Sequence, residues 1–149
     1  MKPRILAVSS GGGHWEQLMI ISASFAGHDV FYANTIDGLA EASGVKAHSI
    51  LRDCNRNQPL AILAALLEAI ALVRAIRPDF VISTGAAPGL LVLLAGKLLG
   101  TRTIWIDSVA NADHPSLSGR LATHFADLHL TQWQHLADNG RPAYWGSVL

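Results

Sequence analysis

Ser9-Ser10-Gly11-Gly12-Gly13-His14-Trp15-Glu16-Gln17 is the stretch that decides how the rest of the chain is read. The apolar run Ile5-Leu6-Ala7-Val8 precedes it. Behind it, Trp15, Leu18, Met19, Ser22 and Phe25 recur at helical spacing. The pattern predicts strand, glycine turn and helix. Three consecutive glycines leave the backbone bare and free to take positive φ. Amides at the opening of a helix lack internal partners and carry partial positive charge, so such a turn suits an anion, most often a phosphate. The dinucleotide fingerprint G-x-G-x-x-G fails, because Glu16 stands at its third glycine. No Gly-Lys-Ser/Thr follows to make a P-loop. Read locally, the turn is either an anion site or a tight structural connection.

The 149 residues are one domain's worth of chain, read here as a single domain over 1–149. Half of them are hydrophobic and 15% are charged, so a core is easily filled and apolar surface is left over. Lys plus Arg equals Asp plus Glu, which speaks against nucleic acid as a partner. The single cysteine, Cys54, excludes an internal disulfide and fits a reducing compartment. With no histidine or CxxC pattern beside it, it reads as a bystander. The apolar run behind Met1-Lys2-Pro3-Arg4 is too short for a signal peptide. No stretch reaches the roughly 18 uncharged apolar residues of a membrane span.

Outward from the opening turn, the chain alternates strand and helix. Strands are expected at Arg4 to Ser9, Val30 to Ala33, Val45 to Ile50, Phe80 to Ile82, Thr103 to Ile106 and Asp127 to Leu130. Helices are expected at His14 to Phe25, Pro59 to Ile76, Leu90 to Leu99 and Pro115 to His124. Ser83 to Gly89 reads as a second glycine turn, and the tail from about 131 as irregular. This alternation predicts an α/β fold, a doubly wound parallel sheet of Rossmann-like design. Ligands of such sheets bind beyond the carboxyl ends of the strands, where strand order reverses. In the usual order strands one and four meet there. The turns Ser9 to His14 and Ser83 to Gly89 would then converge, with Asp107 to Asn111 next door.

The helix from Leu60 to Ile76 carries only Glu68 and Arg74 as charges, so something should cover its outer face, a partner chain or a membrane surface. The alternative is an exposed face of Ala61, Ala64, Ala65, Ala69 and Ala71.

Together, Ser10-Gly11-Gly12-Gly13-His14 with Glu16 and Leu18, Pro78-Asp79 through Ser83-Thr84-Gly85-Ala86, and Ile106-Asp107-Ser108 resemble the N-terminal half of GT-B glycosyltransferases. The likeness is to the enzyme that adds N-acetylglucosamine to the peptidoglycan lipid precursor. It is also to the split relatives whose acceptor and donor halves are separate polypeptides. The likeness runs along nearly the whole chain. A full GT-B enzyme needs two Rossmann-like domains, and this sequence supplies one. The resemblance therefore implies an acceptor-binding, membrane-associating subunit at the cytoplasmic face of the inner membrane. It implies a separate donor-binding subunit, a lipid-linked sugar acceptor, and a nucleotide-sugar at the subunit interface. It calls for no cofactor and no metal. The N-terminal anchor of the eukaryotic subunit has no counterpart here. The family's Glu-Ser-x-x-Arg is replaced by Asp107-Ser108-Val109-Ala110-Asn111, a shorter carboxylate and a lost arginine.

His14, at the mouth of the turn, can bond a phosphate or take a proton from a hydroxyl; the plainer alternative is a helix-start histidine facing solvent. Asp107 is either a general base or the N-cap of the next segment. Glu16 suits the helix dipole, and its charge would repel a phosphate. By resemblance, Ser10, Gly11, Gly12 and Gly13 bind substrate through main-chain groups, Thr84 and Gly85 shape the facing wall, and Ser108 and Asn111 belong to the acceptor side. The remaining histidines have no metal-ligand spacing. Two other functions stay open: a non-catalytic scaffold of the same fold, and a stand-alone nucleotide-binding domain. The latter needs a ribose-binding acid at the end of the second strand, where Asn34 stands and Asp37 comes three residues late.

Overall fold

The computed structural model describes residues 1–148; Leu149, the end of the expected irregular tail, lies outside them. Seven parallel strands form one sheet in the order β3-β2-β1-β4-β5-β6-β7. The interior strand β1 (Arg4–Val8) is flanked by β2 (Asp29–Asn34) and β4 (Phe80–Ser83). β3 (His48–Ile50) lies outside β2, while β5 (Arg102–Ile106), β6 (Leu128–Thr131) and β7 (Ala143–Tyr144) continue beyond β4. Ile5, Leu6, Ala7 and Val8 are all buried, as a strand covered on both faces requires. Their alternation feeds two cores. Leu6 and Val8 join Val81, Val92 and Trp105, whereas Ile5 and Ala7 join Trp15, Leu18 and Ile82.

Helix α1 (Gly13–Ile21) opens directly from the first glycine turn and tightens into a 3-10 turn over Ser22–Phe25. The short α2 (Leu39–Ala42) was not legible as a helix, because four residues carry no period. α3 (Pro59–Ile76) starts on Pro59, whose missing amide costs nothing there. α4 (Ala86–Leu98) begins four residues before the expected Leu90. The second turn therefore ends at Gly85, and Pro88 sits in the first helical turn, where it is tolerated. α5 (Leu117–Ala122) is shorter than expected and is capped by Ser116, whose hydroxyl accepts from the Gly119 amide. The tail is not irregular throughout. It adds the parallel pair Leu130↔Ala143 and Thr131↔Tyr144 to the sheet edge. A two-residue strand has no alternation to read.

α3 reverses the alanine alternative. Ala65 and Ala69 are buried with Val73, while Leu60, Leu63 and Leu67 are 82%, 54% and 60% exposed. Ala65 and Ala69 sit on the packed side, α3 lies against α4, and these three leucines face outward, while Leu72 packs against the core and Ala71 is exposed. Only 17% of α3 is buried, and by length and composition alone it could cross a membrane; the expectation of no span rested on an uncharged run, which Glu68 and Arg74 interrupt. Cys54 is buried, and burial first, then the neighbouring Asp53 charge, pushes its thiol up, away from a reactive thiolate.

His129 on β6 is fully buried and bonded through Nδ1 to Thr123 Oγ1 at 2.6 Å, with no partner for Nε2 among the described residues. Burial pushes its pKa down, the Asp107 charge opposes this, and Arg141 adds to it. The folded imidazole stays neutral where the unfolded chain takes up a proton, near the ordinary histidine value of about 6.5. The unfolded state then binds more protons, so this contribution is full above that value and is lost as pH falls toward the folded pKa. Melting temperature is expected to drop from about pH 7.5 to about pH 5.5, with a shallower slope in His129→Gln.

Candidate functional site

The crevice lies beyond the carboxyl ends of β1 and β4, at the reversal of strand order. From β1 the chain passes through buried Ser9, held to β2 by its amide on Ala33 O at 3.1 Å. It continues through the half-buried Ser10 and Gly11 to Gly12, at φ 69° and ψ −142°. Gly12 is the N-cap of α1 and offers no side-chain acceptor, and a Cβ on Gly12 or Gly13 would meet nothing within 4 Å. The opening amides of α1 therefore border open space with their partial positive charge unanswered by a side chain. Glu16 is exposed on the first turn.

His14 joins the two glycine turns. Its Nδ1 lies 3.0 Å from Thr84 O, and Thr84 Oγ1 donates to His14 O at 2.7 Å. A carbonyl oxygen can only accept, so Nδ1 carries the proton and Nε2 of the neutral ring keeps its lone pair. Among the described residues Nε2 has no partner. Gly85, at φ 145°, is needed on two counts. That backbone disfavours side chains, and a Cβ there would stand 2.3 Å from His14 Nδ1.

The third loop is built on Asp107, which is 3% exposed. Its Oδ1 accepts from Ser116 Oγ at 2.8 Å, Asn111 Nδ2 at 3.3 Å and Trp105 Nε1 at 3.4 Å. Its Oδ2 accepts from Ser116 N at 3.3 Å and abuts Gly119, where a Cβ would approach to 2.6 Å. Asp107 is not itself the N-cap of α5, which is Ser116; it holds that serine and folds Asn111 back on the loop. Ser108 is buried beside it and accepts from Gln17 Nε2 at 2.9 Å.

Gln17 is the residue that sequence reasoning missed. Buried on α1, it bonds Ser108, while its Oε1 accepts from Val109 N at 3.1 Å and Gln132 Nε2 at 2.8 Å. Gln132 also donates to Asp107 O at 3.0 Å and accepts from Val148 N at 3.0 Å. Trp133 donates its indole N–H to Val109 O at 2.8 Å. One buried amide pair thus ties the first glycine turn, the 108–111 loop and the tail together. At the end of β2, Asn34 is fully buried and its Oδ1 accepts from Ile36 N. Asp37 is exposed. Among the described residues no three His, Cys, Asp or Glu side chains converge as metal ligands.

A parallel sheet with an anion-ready helix opening at the switch point, faced by a second glycine turn, defines a Rossmann-like domain of the kind that forms the N-terminal half of GT-B enzymes. MurG from Acinetobacter baumannii superimposes at a TM-score of 0.81 over 95% of this chain and 45% of that one, at 14% identity. A UDP-N-acetylglucosamine 2-epimerase from Rickettsia bellii does so at 0.74 over 99% and 46%, also at 14% identity. The family profile "Oligosaccharide biosynthesis protein Alg14 like" matches residues 42–149, and the chain belongs to that family. A UDP-N-acetylglucosamine transferase subunit ALG14 from Eremothecium gossypii is 36% identical over 78 residues, 48% of this chain and 35% of that protein. The Chlorobium luteolum UDP-N-acetylglucosamine--N-acetylmuramyl-(pentapeptide) pyrophosphoryl-undecaprenol N-acetylglucosamine transferase is 30% identical over 147 residues, 85% of this chain and 40% of that one. The chain spans half or less of the curated relatives it matches.

Proposed function

We propose that this chain is the acceptor-binding, membrane-associating subunit of a two-chain GT-B glycosyltransferase that moves a sugar from a nucleotide-sugar to a lipid-linked glycan. The carrying observation is His14, pinned through Nδ1 to Thr84 across the switch point with Nε2 open beside the bare Gly12-Gly13 helix start. The reaction is a direct displacement at the anomeric carbon. His14 Nε2 accepts the proton of the acceptor hydroxyl, that oxygen bonds the anomeric carbon, and the nucleoside diphosphate leaves with the bonding pair. The amides of Gly12 and Gly13 answer pyrophosphate charge. Ser10, Gly11, Thr84, Gly85, Ser108 and Asn111 shape the acceptor side. Asp107 acts through Ser116 and Asn111 as a positioning residue.

The donor pocket comes from a separate subunit, and the chain sits peripherally on the cytoplasmic face of the membrane. The exposed Leu60, Leu63 and Leu67 of α3 support that contact. Inserting two leucines is worth roughly 3 kcal/mol. Leu63→Gln/Leu67→Gln is therefore expected to weaken vesicle flotation about 100-fold with the circular dichroism unchanged. Unaltered flotation would remove α3 from the membrane contact. Co-purification with a donor-type glycosyltransferase subunit tests the two-chain reading, and a chain that stays monomeric beside every such subunit contradicts it.

One observation favours a second reading. Asn111, where the family carries arginine, is folded onto a fully engaged Asp107, leaving the acceptor loop without a cation. A non-catalytic scaffold would associate with the donor subunit, and His14→Ala would leave transfer intact.

A further inference from the structure

At the amino-terminal rim of the sheet, opposite the crevice, lies a cleft of about 1050 Å3 that the proposed reaction does not use. Lys2, Arg4, Arg74, Arg77 and Arg102 line it, five of the chain's 11 lysines and arginines in a molecule of net charge zero. Among the described residues none of the five is in an ion pair; those pairs use His48, Arg52 and Lys97. The acid lining the cleft, Asp79, accepts the Arg4 backbone amide at 2.8 Å. Arg4 gives one guanidinium N–H to Ile76 O at 3.2 Å, and Arg102 lies over the Phe80 ring at 5.5 Å.

The carboxyl end of a helix attracts cations, which accounts for Arg74 and Arg77 at the end of α3. It does not account for Arg4 and Arg102, which open β1 and β5, or for Lys2, which lies just before β1. Nor does it account for the backbone of Arg77, at φ 52° and ψ 58° in the left-handed position where glycine is the usual helix stop. An arginine held there keeps a guanidinium in the cleft at a conformational cost.

We infer that this cleft binds a phosphate-bearing anion carrying more than one charge. Guanidinium forks match phosphate oxygens two at a time, several unpaired cations in one concavity call for several negative charges, and the volume takes a molecule of nucleotide size. The phosphates belong either to a soluble compound or to a lipid headgroup.

The test titrates inorganic pyrophosphate into the full chain by calorimetry. A second arm measures flotation on phosphatidylcholine vesicles with and without phosphatidylglycerol. Arg74→Gln/Arg77→Gln is expected to weaken the binding seen in one arm about tenfold or more, and the arm affected names the source. Arg77→Gly is expected to raise the melting temperature while weakening the same binding, which separates ligand loss from misfolding. His14→Ala is run in parallel, because the Gly12-Gly13 turn is itself proposed to meet pyrophosphate. Binding absent from both arms, binding that survives the double arginine variant, or binding lost only in His14→Ala overturns the inference.

Discussion

His14→Ala is expected to lower sugar transfer by the proposed two-chain enzyme by roughly 10²–10⁴-fold, the range for removing a general base, the role proposed for His14. Folding and partner binding should persist. The Thr84 hydroxyl bonds the backbone carbonyl of residue 14, which the substitution keeps, and only the Nδ1 bond is lost, about 1 kcal/mol. The effect should fall on kcat, since the proton moves only in the transition state. Gly85→Ala is the companion. Its Cβ would stand 2.3 Å from the ring, so it should displace an intact imidazole and reproduce much of the loss. Wild-type transfer in both variants would take the base away from this residue.

Asp107→Ala is expected to destabilise the fold by about 3 kcal/mol. Deleting the carboxylate strands the buried Trp105 indole and the half-buried Ser116 hydroxyl and amide and Asn111. Asp107→Glu restores the family's longer acid but should still cost about 1–3 kcal/mol, because the aspartate already abuts Gly119 at the start of α5. Denaturant unfolding of both variants checks this. A glutamate variant as stable as wild type would mean that the loop has room to move, and that the shorter carboxylate is not set by α5.

Much of the architecture was legible because it rests on local pattern. Ile5 to Val8 ahead of three glycines reads as an interior parallel strand, and the alternation that follows leaves few sheet orders open. The convergence of the His14 and Thr84 turns followed from strand order. Their reciprocal hydrogen bonds did not, since they join atoms 70 residues apart. Gln17 was invisible for the same reason. Its partners lie 91 and 115 residues away, and a glutamine early in a helix reads as surface. The outer face of α3 was left open between two readings for a different reason. In a helix of alanine and leucine, periodicity shows two apolar faces, and only packing against α4 decides that alanine goes in.

The most direct measurement is transfer of radiolabelled sugar from UDP-N-acetylglucosamine, the donor that the relatives' names carry, to membrane lipid, with this chain alone, the donor subunit alone, and the two together. The account predicts label in lipid only when both are present. Transfer by this chain alone, or by the donor subunit without it, would contradict the split site.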